Sequence, residues 1–151
     1  MRKKRIIVVG PKGCGKTTLV NSINDYDGPL RRTQDTIYGK YTIDVPSAFI
    51  ENAWMYKHLI ALSQDAWCAL ILVDQSRLTE VYSHGFAKAL YCPTIGVISK
   101  ADLNPENRMF CLKQLEMIGA GKPYFEISVP NGIGIDELKR YLVEWKERMR
   151  G

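Results

Sequence analysis

An eight-residue glycine-rich motif constrains the fold of this chain more than any other feature of its sequence. Residues 10–17 read Gly-Pro-Lys-Gly-Cys-Gly-Lys-Thr and match the pattern G-x-x-x-x-G-K-[ST] in full. An apolar, β-branched run at residues 6–9 precedes the motif, and a helix-like pattern at residues 16–24 follows it. This order predicts a buried strand, a tight loop and a helix, whose amides and N-terminus together can surround phosphate groups.

The rest of the chain alternates apolar runs with helix-like segments and contains no repeat or low-complexity segment. Further strands are predicted at residues 38–44, 66–73, 94–98 and 124–127, and further helices at residues 52–63, 76–89, 104–118 and 135–149. The alternation favours an α/β fold of the P-loop NTPase type, with three α/β/α layers and a mostly parallel sheet of about five or six strands. The length fits a single domain spanning residues 1–151.

The net charge of +5 is unevenly distributed along the chain. Residues 1–40 carry nine basic and three acidic residues, whereas residues 41–151 carry twelve basic and thirteen acidic residues. The excess therefore lies around the glycine-rich motif, and a nucleic-acid partner is only one possible cause. We expect it to reflect a phosphate site and a short basic N-terminus, with no nucleic acid bound.

Apolar stretches and cysteines indicate the compartment. The longest apolar stretch, residues 66–73, is far shorter than the ~20 residues of a membrane span. Residues 1–5 are basic but lack the longer apolar region of a secretory signal behind them. The four cysteines show neither a CxxC pair nor metal-ligand spacing, which is typical of reduced thiols. We therefore expect a cytoplasmic protein with no membrane span.

Three residues are candidates for binding nucleotide phosphates and magnesium. Lys16 would reach the β and γ phosphates, and Thr17 would offer its hydroxyl to Mg²⁺. Asp44 ends a predicted strand 27 residues beyond Thr17 and can hold the same ion through water. The alternative for Asp44 is a plain strand-ending turn.

A second motif is a candidate for reading the base. Ser99, Lys100 and Asp102 form S-K-x-D at the end of a predicted buried strand and resemble the guanine-reading [NT]-K-x-D motif of small GTPases. Asp102 would accept two N–H bonds from guanine, which adenine does not offer, while the Lys100 stem covers the base plane. Ser99 keeps a hydroxyl where Asn or Thr is usual, with a shorter reach than Asn. Ser128 follows the last predicted strand, where GTPases place a short loop against the base, although a simple strand end is the alternative.

These motifs and the short chain length resemble a compact Ras-like GTPase, and more narrowly the EutP/PduV family of ethanolamine- and propanediol-utilisation gene clusters. The family-specific marks lie at residues 32–34, 43–46, 53–56 with His58, 61–66 and 97–102. The resemblance implies binding of GTP or GDP with Mg²⁺, and association with a shell or cargo protein of a bacterial microcompartment, a protein-shelled organelle. It also leaves open an acetate-kinase activity that uses ATP or GTP.

The machinery for GTP hydrolysis is incomplete. The D-T-P-G of the family becomes Asp44-Val45-Pro46-Ser47, so a Cβ stands where the glycine would offer its amide to the γ-phosphate. The next residue is Ala48 rather than Gln, so no side chain there can orient the attacking water. These changes predict slow GTP hydrolysis, and they keep open a degenerate GTPase that acts as a nucleotide-stabilised scaffold.

The switch loop and the phosphate loop leave several roles open. Thr33 is our candidate for the threonine that closes on Mg²⁺ and the γ-phosphate, with Thr36 as the alternative. Arg31 and Arg32 can pair with phosphates or only solubilise the loop. Lys12 stands where many small GTPases have glycine; it can neutralise developing charge, obstruct the attacking water or face solvent.

Three other side chains have a structural and a functional interpretation. Cys14 is either a small residue that fits the loop or a redox-sensitive thiol. Trp54 and Tyr56 are expected to pack in the core, with an exposed partner surface as the alternative.

The predicted catalytic residues are Lys16 and Thr33, and the predicted metal ligands are Thr17, Thr33 and Asp44. The predicted nucleotide-binding residues are Gly10, Pro11, Lys12, Gly13, Cys14, Gly15, Lys16, Thr17, Thr18, Ser47, Ser99, Lys100, Asp102 and Ser128.

Overall fold

The computed structural model describes residues 5–24, 37–38, 41–78 and 80–150. The strands of this part of the chain are β1 (Arg5–Val9), β2 (Ile37–Tyr38), β3 (Thr42–Asp44), β4 (Ala66–Asp74), β5 (Thr94–Ser99) and β6 (Phe125–Glu126). Its α-helices are α1 (Lys16–Ile23), α2 (Ala48–Glu51), α3 (Tyr56–Ser63), α4 (Arg108–Ile118) and α5 (Ile135–Arg150). Short 3₁₀ helices lie at Ala53–Met55, Phe86–Ala89 and Pro105–Asn107.

The strands form one sheet in the order β2-β3-β1-β4-β5-β6. Neighbouring strands run parallel from β3 to β6, and β2 pairs antiparallel with β3. The register sets Val8 beside Asp44 and Asp74 beside Ser99, so the carboxyl ends of these strands meet at one edge. Open α/β sheets bind their ligands outside this edge, which is also where the glycine-rich loop leaves β1.

Two apolar clusters cover the two faces of the sheet. One cluster includes Leu59 of α3 and Leu115 of α4, and the other includes Leu19 of α1 and Leu138 of α5. Because both faces of β4 are covered, eight of its nine residues are buried, as its continuous apolar run predicts. The mostly parallel sheet with helices on both faces is therefore confirmed. None of the helices within the described ranges is both long and apolar enough to cross a membrane.

The helix predicted over residues 76–89 is wrong. Among the described residues of this segment, 76–78 and 80–89, only Phe86–Ala89 are helical, as a 3₁₀ turn, and Gly85 before them has a φ of 72°. Tyr82 is buried instead beneath the segment, where its hydroxyl donates to the Leu72 carbonyl at 2.6 Å. Phe86 is buried as well, whereas Leu78 has 64% of its surface exposed, so the apolar residues of this segment do not form one buried helix face.

The segment around residues 52–63 differs from the prediction in two respects. The predicted helix begins as the 3₁₀ turn Ala53–Met55 and becomes α-helical only in α3, and the extended backbone of Asn52 separates it from α2, which was not predicted. Trp54 lies in that turn with 70% of its surface exposed, so the expectation of core packing is wrong for this residue. Tyr56 is half-buried and meets Phe86 edge-on at 5.4 Å between ring centroids.

Candidate functional site

The glycine-rich loop joins β1 to α1 and presents backbone amides at the ligand-binding edge. Gly13 and Gly15 have φ angles of 81° and 89°, which residues with a Cβ rarely adopt. A tight turn closes the loop through the Cys14 amide, which donates to the Pro11 carbonyl at 3.2 Å. The first amides of α1 have no partner inside the helix, and the helix dipole adds positive potential there. The loop therefore has the amide geometry and the potential that an anionic phosphate requires.

Lys16, Thr17 and Asp44 meet beside this loop. The Lys16 Nζ donates to the Asp44 Oδ1 at 2.9 Å, and the Thr17 hydroxyl donates to the Asp44 Oδ2 at 3.4 Å. The Lys16 and Asp44 side chains are only 12% and 7% exposed. Mg²⁺ prefers one or two protein oxygens completed by phosphates and water, so the Thr17 and Asp44 oxygens fit such an ion. Asp44 is thus in direct contact with both Lys16 and Thr17, as expected from their selection in two separate segments of the sequence.

The two loops selected for base reading also meet. Asn131 donates from Nδ2 to the Asp102 Oδ2 and to the Ser128 Oγ, both at 3.1 Å. The amide of Ala101 donates to the Ile127 carbonyl at 2.9 Å and ties the same loops together through the backbone. Asn131 was missed by the sequence analysis, since its position three residues after Ser128 becomes informative only when the fold brings Asp102 beside it.

The S-K-x-D loop is also supported from β4. The Ser99 hydroxyl donates to the Val73 carbonyl at 3.2 Å inside the sheet. Gln75, a buried residue directly after β4, donates from Nε2 to the carbonyls of Ala101 and Leu103 at 3.1 and 2.8 Å. The Gln75 carbonyl in turn accepts the side-chain amide of Asn107 at 2.9 Å. Gln75 therefore holds the backbone of this loop through two hydrogen bonds, and Asn107 in turn holds Gln75.

Asp74 is a second residue that the sequence analysis missed. Its Oδ1 accepts from the Ser76 backbone amide at 2.9 Å and the Ser76 hydroxyl at 2.6 Å, while its Oδ2 lies 3.3 Å from both Arg77 Nε and Lys100 Nζ. Burial acts to raise the pKa of Asp74, but the hydrogen bonds of Ser76 and the ammonium of Lys100 outweigh it and hold that pKa below its ordinary value. The available signal was its place at the carboxyl end of a long apolar strand.

The remaining predicted nucleotide-binding residues of the phosphate loop, and Ser47, are described by their burial and backbone conformation. Gly10 and Pro11 are buried in the loop, whereas the side chains of Lys12 and Thr18 are exposed. Ser47 precedes α2 with φ −58° and ψ −27°. This is an ordinary helical conformation, so the serine causes no backbone strain at the position where the family has glycine.

The structure describes Cys14 of the phosphate loop but not the predicted switch threonine. Cys14 is 1% exposed and packs against the core, and burial raises the pKa of its thiol to about 11. A thiol with that pKa is protonated at neutral pH, which favours the packing interpretation over a redox-sensitive one. Thr33, its alternative Thr36, and Arg31 and Arg32 lie outside the described residues.

Solved structures of other proteins share the α/β fold of this chain. The translation elongation factor SelB of Methanococcus maripaludis, solved with the GTP analogue GppNHp, matches 97% of this chain with a TM-score of 0.70 and 21% identity. The match spans 35% of that factor. A probable GTP-binding protein, engB, matches 95% of this chain over 99% of its own length, with a TM-score of 0.68 and 21% identity. The chain belongs to the PduV-EutP family, described as ethanolamine utilisation - propanediol utilisation, which it matches over residues 3–144.

Two curated relatives agree with this membership. The propanediol utilization protein PduV of Citrobacter freundii is 31% identical over 140 residues, covering 92% of this chain and 93% of that protein. A probable acetate kinase, EutP of Escherichia coli K12, is 32% identical over 146 residues, covering 92% of this chain and 89% of that protein. The family resemblance drawn from the sequence motifs is thereby confirmed.

Proposed function

We propose that this protein is a Mg²⁺-dependent GTP-binding protein. The contact of Lys16, Thr17 and Asp44 beside the phosphate loop carries the proposal, and the joining of Asp102 to Ser128 at the same edge supports a guanine base. The loop amides and the Lys16 ammonium would bind the phosphates, with Lys16 leaving Asp44 as they enter. Thr17 and Asp44 would hold Mg²⁺, which neutralises phosphate charge.

Thermal unfolding with added nucleotides tests this proposal. We expect GDP and GTP, each with Mg²⁺, to raise the melting temperature, because a ligand at a hundredfold excess over its Kd adds about 2.7 kcal/mol to the free energy of unfolding. ATP at the same concentration should add much less, since adenine cannot supply both N–H donors to Asp102. Equal stabilisation by ATP and GTP would refute guanine recognition, and no stabilisation by either would refute nucleotide binding.

Slow hydrolysis is part of the proposal. Ala48 offers no group to orient water, and Ser47 places a Cβ where a glycine would offer its amide to the γ-phosphate. Purified protein with Mg²⁺–GTP should therefore release phosphate more slowly than about one turnover per second, a usual scale for enzymes. Faster release by the protein alone would show that another group positions the water. A partner could supply the missing group, as occurs when a second protein inserts an arginine into a GTPase site.

The regulatory part of the proposal concerns partner binding. The γ-phosphate would order the segment around Thr33 and the segment from Asp44 to Tyr56, and thereby change affinity for a partner. The exposed Trp54 lies in the second segment and is available to such a partner. Location at a bacterial microcompartment, next to a shell or cargo protein, is proposed on family membership alone; co-localisation with a shell protein tests it.

A small-molecule kinase is the second candidate, because relatives of similar length are named probable acetate kinases. Adding acetate to the phosphate-release assay distinguishes the two functions. A GTP-binding protein yields inorganic phosphate at an unchanged rate, whereas a kinase yields acetyl phosphate. If neither product forms while GDP and GTP still bind, the protein is a nucleotide-stabilised scaffold.

A further inference from the structure

Arg77 connects the end of β4 to the phosphate loop. Its Nη2 donates to the backbone carbonyl of Lys12, and a Cβ placed on Gly13 would lie 3.8 Å from the same nitrogen. The other side of the guanidinium faces Asp74, whose Oδ2 lies 3.3 Å from Nε. The arginine therefore spans from a strand-end carboxylate to the first half of the loop that would surround the phosphates.

Asp74 also connects this arginine to the base-reading loop. Its Oδ2 lies 3.3 Å from Lys100 Nζ as well as from Arg77 Nε, and its side chain is only 3% exposed. Lys100 has a φ of 55°, so its backbone conformation is one that needs support from its surroundings. One buried carboxylate is thus shared by a cation at the phosphate loop and a cation at the base loop.

We propose that Arg77 is a positioning residue for the nucleotide phosphates and that Asp74 couples the phosphate loop to the base-reading loop. The inference rests on the proposed function and explains how the phosphate loop and the base-reading loop keep a fixed position relative to each other. Arg77 fixes the Lys12 carbonyl, and with it the direction of the following loop amides. Asp74 fixes both cations, so removing its charge disturbs both ends at once.

The chemistry of arginine suits this role better than that of lysine. A planar guanidinium carries five N–H donors in a fixed arrangement and can bond to two acceptors on different sides. A lysine at the same position keeps the positive charge but presents a single point of contact on a flexible stem. Arg77→Lys should therefore restore only part of what Arg77→Ala removes. The half-exposed position of Arg77, with 47% of its side chain accessible, makes either variant compatible with folding.

Competition binding against a fluorescent GDP analogue tests the role of Arg77. Guanosine and GDP are the two competitors, since guanosine keeps the base but has no phosphates. Arg77→Ala is expected to weaken GDP about tenfold and to leave guanosine within about twofold, with Arg77→Lys in between. Arg140→Ala is the matched control, because Arg140 is an exposed arginine of α5 outside the Asp74 contacts. Equal weakening of guanosine and GDP by Arg77→Ala, or no weakening, would overturn the proposal.

Asp74→Asn tests the coupling. The amide keeps one oxygen for Ser76 but loses the charge that holds Arg77 and Lys100, so both guanosine and GDP should bind more weakly. Within this background, Arg77→Ala should add less than about a twofold further loss, because its partner charge is already gone. Full additivity of the two affinity losses would overturn the coupling. If the wild-type protein does not bind the GDP analogue at all, the proposed GTP-binding function itself is refuted.

Discussion

Replacement of Asp102 with alanine is expected to weaken GDP binding by roughly 10²- to 10⁴-fold while leaving ADP binding within about threefold. Two charge-assisted hydrogen bonds from guanine to the carboxylate are worth ~1.5–3 kcal/mol each, and ~1.4 kcal/mol corresponds to a tenfold change in affinity. Adenine presents a ring nitrogen where guanine presents an N–H, so it gains nothing from the carboxylate. The variant should thereby lose most of its preference for guanine.

Isothermal titration with GDP and ADP in the presence of Mg²⁺ measures this preference. Glu144→Ala serves as the control, because it removes an exposed carboxylate from α5 without changing the S-K-x-D loop. The structure supports this expectation, because the side-chain amide of Asn131 donates to one oxygen of Asp102 and thereby orients the carboxylate. Equal losses for GDP and ADP would mean that Asp102 supports the site without reading the base.

Replacement of Lys16 with alanine is expected to weaken GTP and GDP about 10- to 150-fold, from the loss of ~1.5–3 kcal/mol of charge-assisted bonding to phosphate. The same change should lower the stability of the nucleotide-free protein by ~1–3 kcal/mol. This second effect arises because the Asp44 carboxylate, 7% exposed, loses its ammonium partner at 2.9 Å. A residue that served only as a phosphate ligand would show the first effect alone.

Urea unfolding without nucleotide and competition binding with GDP separate the two effects. Lys88→Ala is a suitable control, since Lys88 is an exposed lysine of the Phe86–Ala89 turn. Unchanged GDP affinity in the Lys16 variant would exclude this lysine from the phosphate site. Unchanged stability would indicate that Thr17 and solvent compensate the Asp44 carboxylate by themselves.

The local parts of the fold and site were predictable from the sequence. The glycine-rich loop is a contiguous motif between a strand and a helix, so one segment contains the information for its whole geometry. Asp44 and the S-K-x-D motif were recognisable because each lies at the end of an apolar run, and parallel strands bring their carboxyl ends to one edge. Those positions depend only on the strands being parallel, which the alternation of strands and helices predicts.

The parts that escaped prediction depend on tertiary contacts. Asp74, Arg77 and Asn131 each have a partner nearby in the sequence, but they become informative only through Lys100, the Lys12 carbonyl and Asp102, which the fold brings beside them. The helix expected at residues 76–89 failed because the burial of Tyr82 depends on its contact with β4, which the local sequence does not indicate. Trp54 failed for a related reason, since a large apolar side chain favours burial only when a neighbouring surface is there to cover it.

The end of strand β4 contacts both the phosphate side and the base side of the candidate site. From Cys68 to Val73 its residues alternate between the two apolar clusters. At its end, Asp74 contacts Arg77, the arginine that bonds the phosphate loop, and the next residue, Gln75, bonds the backbone of the S-K-x-D loop. A slip of one residue in its pairing would exchange its two faces and would displace both ends together. The spacing between the two recognition loops is therefore inherited from the packing of the sheet interior, far from the residues that would touch a ligand.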